Sequence, residues 1–253
     1  MSWTTARLAQ WILKSLGVCV CRETVRLCLK RLGFSWKKAK KLLNKAKPES
    51  RRQFLETLKP LLKRANDDEI LLVYMDEAHK HPDTSLGHGW SPQGERLWVS
   101  SHSNGLGQRT SLYGLYLYNE GTVRIWDYPT ANQENTQHVL ERLRQEFPKR
   151  NIKLIWDGAS YHRAKSVYQK AGSLGIEIIQ LPGYSPDFMP VEELWSWLRK
   201  ELNDFHCFKN TQEFLNHVRQ FLQIINQNTT NVADRLWRSI RWDSQLEKLR
   251  VSN

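Results

Sequence analysis

Three acidic side chains in this sequence have the type and spacing needed to hold divalent cations. Asp76 follows the run Glu69-Ile70-Leu71-Leu72-Val73-Tyr74-Met75, Asp157 follows Asn151-Ile152-Lys153-Leu154-Ile155-Trp156, and Glu192 stands two residues after Pro190. Nearly continuous apolar runs of this length predict strands buried on both faces. An aspartate at the end of one such strand reads as a turn or cap residue. Two of them converge if the strands are neighbours, because sites in such sheets lie outside the carboxyl ends of adjacent parallel strands. A third acid is needed to compensate two cations, and Glu192 supplies it from the first turn of a helix. The 34 residues between Asp157 and Glu192 suffice for a helix, a strand and a loop back to the same sheet edge. Three carboxylates brought together repel one another and take up protons unless cations bind between them. Divalent ions about 3.5–4 Å apart can activate an attacking oxygen and stabilise the leaving oxygen of a phosphodiester. Mg²⁺ suits this, because it needs only one or two carboxylates per ion.

The elements that must position these acids follow from the changing period of the sequence. Further strands are expected at Arg96–Ser100, Thr110–Tyr118 and Thr122–Tyr128, an antiparallel meander. After them come a helix over Asn132–Phe147, the strand before Asp157, a short helix over His162–Ala171, a strand at Ile176–Leu181 and a helix over Pro190–Leu202. Antiparallel strands followed by right-handed crossovers give an α/β fold, a mixed sheet flanked by helices. Past Phe205 the chain reads as helices, with Phe214, Val218, Leu222 and Ile225 on one face and no evident chemistry.

The charge sits elsewhere. The 253 residues carry 38 Lys and Arg against 26 Asp and Glu, a formal +12, yet residues 1–65 hold 17 of the basic residues and only three acids. That +14 arm on a near-neutral body is the footprint of a polyanion-binding module beside a part with another task. Within it, Thr5–Leu16 has a helical apolar stripe ended by Gly17, and Arg22–Leu32 a second one ended by Gly33. Two short helices and a tight turn make a helix-turn-helix unit, with two helices that merely pack as the plain alternative. Its second helix would present Arg22, Arg26 and Lys30 to phosphates and base edges in a major groove. The run containing Lys37, Lys38, Lys40 and Lys41 would add phosphate contacts and steep salt dependence. Residues 1–36 are therefore expected to form a DNA-binding subdomain, 37–66 a basic linker and connecting helix, and 67–253 a catalytic domain.

Three blocks carry a resemblance. Val73-Tyr74-Met75-Asp76-Glu77-Ala78, Ile155-Trp156-Asp157-Gly158-Ala159-Ser160-Tyr161-His162 and Leu181-Pro182-Gly183-Tyr184-Ser185-Pro186-Asp187-Phe188-Met189-Pro190-Val191-Glu192-Glu193-Leu194-Trp195 resemble the catalytic blocks of DDE transposases of the mariner superfamily, most closely the bacterial insertion-sequence branch. Gly89-Trp90-Ser91-Pro92-Gln93-Gly94 is similar to the stretch that follows the first strand in that family. The resemblance implies a ribonuclease H-like core, an N-terminal helix-turn-helix of winged-helix type, and two Mg²⁺ or Mn²⁺ ions on Asp76, Asp157 and Glu192. It implies cleavage of double-stranded DNA at terminal inverted repeats, strand transfer to a target that is usually TA, and a homodimer that pairs two ends. It also implies a bacterial, nucleoid-associated location in the cytoplasm. Two departures from the pattern stand out: Gly158 is where asparagine is common, and Phe188-Met189 replaces Leu-Asn. Met189 cannot accept from the first-turn N–H groups of the glutamate helix, a loss of about 1 kcal/mol.

Neighbouring residues take lesser roles. Glu77 is expected on the opposite face from Asp76, and Glu193 about 100° around the helix from Glu192; both read as structural or as supports behind the ligands. His162 is placed either near the site or simply at a helix start, whereas His79 and His81 read as loop residues. Trp195 and Trp197 read as core. The four cysteines form no C-x-x-C pair and read as reduced thiols. No apolar run approaches the roughly 20 residues of a membrane span, and the N-terminus lacks a signal-peptide layout. A non-catalytic relative acting as a repressor or remnant, and another ribonuclease H-like nuclease, are the competing functions. The chain starts at what resembles the second half of a paired DNA-binding region, so a first subdomain is expected to be absent or supplied by another reading frame.

Overall fold

The computed structural model describes residues 3–35, 48–84, 91–101, 109–159, 162, 164–183, 185–203 and 206–237. The chain forms two compact units, Met1–Asn44 and Lys45–Asn253.

In the first unit, α1 (Thr5–Leu16) and α2 (Arg22–Arg31) pack on each other. Thr4 caps α1 by accepting from Arg7 N, and Gly17 closes it at φ 69°, a left-handed conformation that glycine adopts without steric cost. The N-cap of α2 is Cys21, whose Sγ accepts from Thr24 N. The helix-turn-helix pattern is thus realised in the two helices, with Val25 as the buried contact.

The second unit is built on a five-stranded sheet in the order β3-β2-β1-β4-β5. Strands β1 (Leu71–Lys80), β2 (Thr110–Leu117) and β3 (Thr122–Tyr128) form the antiparallel meander, while β4 (Ile152–Trp156) and β5 (Ile176–Gln180) add parallel to β1. The period of two divides the apolar residues between two cores. On one face Leu72, Tyr74, Leu112, Tyr116 and Ile155 meet α3 (Pro48–Asn66), α6 (Val191–Leu198), α7 (Thr211–Ile225) and α8 (Thr229–Trp237). On the other, Leu71, Val73, Met75, Leu154 and Trp156 meet α4 (Gln133–Glu146) and α5 (Lys165–Ser173). Fully burying one such aliphatic side chain contributes about 1.5–3 kcal/mol.

Several expectations need correction. Arg96–Ser100 is not a strand: it pairs with nothing in the sheet, and Trp98 is 80% exposed. The strand before Asp76 does not end there but runs on to Lys80, because β2 pairs with it up to Thr110↔Lys80 while β4 stops at Tyr74↔Ile155. His79 consequently lies in β1, with Nδ1 2.9 Å from Ser111 Oγ. The helix expected from His162 starts at Lys165, because the His162 ring is engaged with Asp157 and Glu77. The helix expected over Pro190–Leu202 is α-helical to Leu198 and continues as a π-helix over Arg199–Asn203. Helix α3, expected to connect two domains, belongs to the second unit, where Phe54, Leu55, Leu58, Leu61 and Ala65 enter its core.

Candidate active site

Register places the two aspartates side by side. The last parallel pair is Tyr74↔Ile155, so Asp76 and Asp157 each stand two residues beyond it at the carboxyl ends of adjacent strands. Asp76 shares the face of Leu72 and Tyr74, toward α6, and its Oδ2 accepts a 2.8 Å hydrogen bond from Trp195 Nε1 on that helix. Glu77 turns to the other face, where its Oε1 lies 2.8 Å from His162 Nε2. His162 Nδ1 is 3.0 Å from Asp157 Oδ1, which also accepts from Ala159 N. The imidazole stacks on Trp156 at 4.4 Å, nearly parallel.

Glu192 lies in the first turn of α6. That helix has no side-chain cap; Glu192 N and Glu193 N donate to the carbonyls of Met189 and Pro190, while the Met189 side chain is buried in the core. The preceding loop is held from α3. Arg51 Nη1 donates to Ser185 Oγ and Asp187 Oδ1, its Nη2 donates to Asp187 Oδ2, and the guanidinium lies 4.4 Å over the Phe188 ring. Asp187, the acid of the tyrosine-serine-proline-aspartate block, is therefore bound in a forked ion pair.

The charges are unequal. Burial, with the like charges of Glu192 and Glu77, pushes the Asp76 carboxyl up to about 8, against the pull of the Trp195 N–H. Partial desolvation and the charges of Asp157 and Glu193 push Glu192 upward. Asp157 is held below the ordinary carboxylate value by its hydrogen bond to His162, which outweighs its desolvation, with help from the Ala159 N–H. Burial draws His162 down, but its hydrogen bonds to Asp157 and Glu77 and their charges win and raise it to about 9. The imidazolium then donates from both nitrogens. A group of oxygen donors whose members push one another's pKa up is a site that gains by taking up a hard cation. Asp76 and Glu192 fit that description, each raised in part by the charge of Asp157, which His162 keeps ionised beside them. Glu77, Asp157 and His162 also bring ligand atoms within 4.8 Å of one another, but there His162 already pairs with both acids.

Of the expected DNA contacts, Arg22, Arg26 and Lys30 are exposed on α2, and Arg26 is ion-paired with Glu23 one turn away. Lys37, Lys38, Lys40 and Lys41 lie outside the described residues. Glu193 is exposed beside Glu192. Sequence reasoning placed Trp195 in the core, where it is 7% exposed, but missed the bond from its indole to Asp76. It also missed Arg51 and Gly114; a glycine interrupting an apolar strand was the available signal for the latter.

The arrangement defines a class before any particular relative. The family model described as DDE superfamily endonuclease matches residues 71–215, more than half the chain, and one described as winged helix-turn helix matches residues 2–58. The chain belongs to the DDE superfamily endonuclease family. Among solved structures it is similar to the Mos1 strand transfer complex, at 19% identity over 98% of this chain and 74% of that one, with a TM-score of 0.70. It is similar also to the Mos1 transposase paired-end complex with left transposon end, at 18% identity, the same coverages and a TM-score of 0.71. The catalytic domain of Mos1 mariner transposase matches at 16% identity over 86% of this chain and 97% of that one, with a TM-score of 0.55. These likenesses establish the fold, the ribonuclease H-like mixed sheet flanked by helices. No curated protein sequence matches the chain. Among the described residues no helix is long and apolar enough to cross a membrane.

Proposed function

We propose that this chain is a DNA transposase of insertion-sequence type that cuts at terminal inverted repeats and joins the freed ends to target DNA, with TA the expected target. The observation that carries the reading is the register of Asp76 and Asp157 at adjacent strand ends, supported by Glu192 lying near enough for its charge to raise Asp76 and for the charge of Asp157 to raise it. Asp76, Asp157 and Glu192 would hold two Mg²⁺ or Mn²⁺ ions. When bound, such ions supply Lewis-acid stabilisation of the attacking and leaving oxygens at the scissile phosphodiester. The chain's own residues do the positioning. Asp157 is oriented by His162 and the Ala159 N–H, both on Oδ1. Glu192 is placed by the turn after Met189 and by the loop that Arg51 grips through Ser185 and Asp187.

The helix-turn-helix within residues 1–36 would read the repeat, with Arg22, Arg26 and Lys30 directed to DNA. The body from residue 67 on would carry the chemistry, and α3, lying between them in sequence, is packed into that body. The likeness to Mos1 paired-end complexes, among them ones with Mn and with Mg, supports paired ends and a divalent cofactor as the parallel expectation here; pairing two ends would take a homodimer. The test begins with the DNA flanking the gene, which should carry inverted repeats bounded by a duplicated TA. Purified protein with Mg²⁺ should cut a duplex bearing such an end at the repeat boundary. Binding of that duplex without cleavage in either Mg²⁺ or Mn²⁺ would instead make the chain a non-catalytic DNA-binding relative.

A further inference from the structure

Helix α6 carries more than Glu192. Three residues on, Trp195 lies almost out of solvent and sends its only hydrogen-bond donor, Nε1–H, to Asp76 Oδ2 at 2.8 Å. A buried indole N–H needs an acceptor wherever it packs, and the acceptor chosen here is one of the three clustered acids. The strand beside β1 makes the reach possible. Gly114 on β2 is directly opposite Asp76 in the β1–β2 register. A Cβ at Gly114 would stand 2.6 Å from Trp195 Cζ2, 2.7 Å from its Cη2 and 2.9 Å from Val191 Cγ1. Heavy atoms do not approach so closely, so any side chain at position 114 must lift α6 or turn the indole away from Asp76. Gly114 has ordinary backbone angles, not a positive φ, so its reason lies in this close approach rather than in backbone conformation.

Resting on the function proposed above, we infer that Trp195 is a positioning residue for the cation site and that Gly114 is the notch that lets it act. The indole N–H fixes the plane of the Asp76 carboxylate through Oδ2, in the orientation in which the carboxylate would help to hold a cation. One helix then sets two of the three acids: it bears Glu192 itself and holds Asp76 through Trp195, about 4.5 Å further along its axis. The separation between the two ligands is fixed by helix geometry rather than by loops. Residues that orient a ligand in this way typically change metal affinity or activity by about 10–100-fold when lost.

The test uses Trp195→Phe in the full chain, which keeps a ring in place but removes the N–H, with Mn²⁺ alone as the probe. Free Mn²⁺ is followed by electron paramagnetic resonance during titration of wild type, Trp195→Phe, Gly114→Ala and Asp76→Asn, with folding of each checked by thermal melting. The expected result is a Mn²⁺ dissociation constant about tenfold higher in both Trp195→Phe and Gly114→Ala than in wild type. A purely structural tryptophan would lower the melting temperature and leave the Mn²⁺ affinity unchanged, and that result in folded Trp195→Phe overturns the inference. Should either variant fail to fold, the ¹⁵N-indole spectrum of Asp76→Asn decides. The Trp195 N–H resonance must move if it is bonded to that carboxylate, and an unmoved resonance overturns the proposal. Wild type binding no Mn²⁺, or Asp76→Asn binding it as wild type does, would count against the transposase reading itself; a loss confined to Asp76→Asn would count only against Trp195.

Discussion

The Nε2 atom of His162 lies 2.8 Å from Glu77 Oε1, and the two side chains are 0% and 3% exposed. This contact spans 85 positions of sequence and joins the loop after β4 to the far face of β1. It engages the acid next to Asp76, and the other ring nitrogen reaches Asp157. The pair therefore separates the two neighbouring acids of β1: Asp76 faces the cluster with Glu192, and Glu77 steadies the residue that orients Asp157.

Removing the imidazole should be costly. His162→Ala takes the imidazole from the buried Glu77 carboxylate and the ring N–H from Asp157. Breaking a buried pair from one side destabilises by about 3–5 kcal/mol, which urea unfolding at neutral pH would register. His162→Gln, with an amide N–H able to meet one of the two acids, should recover part of the loss. Equal stability of His162→Ala and wild type would show that the bridge carries no weight.

The pH dependence has a definite sign. In the cation-free protein the Asp76 carboxyl is raised from 3.8 to about 8, so between these values the folded state keeps a proton that the unfolded state has lost, and stability falls as pH rises. His162, raised from 6.5 to about 9, gives a contribution fully present below 6.5 and lost as pH climbs through its folded value. Asp157 is lowered, so its contribution is present above 3.8 and is lost only on acidification through its depressed value. The melting temperature of cation-free protein should accordingly fall between about pH 5 and 9, less steeply in Asp76→Asn. Added Mg²⁺ should raise it more at the alkaline end, where no proton competes. A slope identical in Asp76→Asn and wild type would contradict this.

The grip of α3 on the loop before α6 predicts a second effect on stability. Arg51 is 11% exposed and forks onto Asp187 and Ser185. Arg51→Lys keeps the charge but loses the planar fork, and Asp187→Asn keeps the shape but loses the charge. Each should lower stability by about 1–3 kcal/mol, as loss of a charge-assisted hydrogen bond does, and should slow nicking, because this loop sets the start of the Glu192 helix. Thermal melts and a nicking time course would read both effects.

DNA affinity should fall steeply with salt, with each phosphate contact adding about one unit to the log–log slope. Arg22→Gln and Lys30→Gln should each flatten that slope. Arg26→Gln should flatten it less, since Glu23 already neutralises Arg26, and Glu23→Gln should tighten binding by freeing it. Fluorescence anisotropy on a labelled terminal repeat over a salt series measures all four.

The sheet was largely legible because its strands announce themselves as apolar runs: β1, β4 and β5 start within two residues of the expected positions. The end of β1 was not, since the apolar run stops where β4 stops covering it, whereas the backbone continues on pairing with β2 alone. Arg96–Ser100 has strand-like residues but lacks a partner, and pairing, not propensity, makes a strand. At the candidate site the residue types and spacing singled out Asp76, Asp157 and Glu192. His162 holds Asp157 from five residues away, a spacing that the sequence reading did weigh, but Trp195 on Asp76, Glu77 on His162 and Arg51 on Ser185 act across 119, 85 and 134 positions. Such contacts leave no local period to read. Gly114, out of place in a buried strand, was the one local signal of a close approach there, and it went unread.

The central claim is that Asp76, Asp157 and Glu192 form one cation-dependent cutting site. Mg²⁺-dependent nicking of a terminal-repeat duplex by Asp76→Asn, Asp157→Asn and Glu192→Gln, with binding of the same duplex followed in parallel, tests it most directly. Nicking should be abolished in all three while binding stays within about twofold of wild type, less than the 1.4 kcal/mol that marks a tenfold change. Undiminished nicking in any one of them would contradict the account.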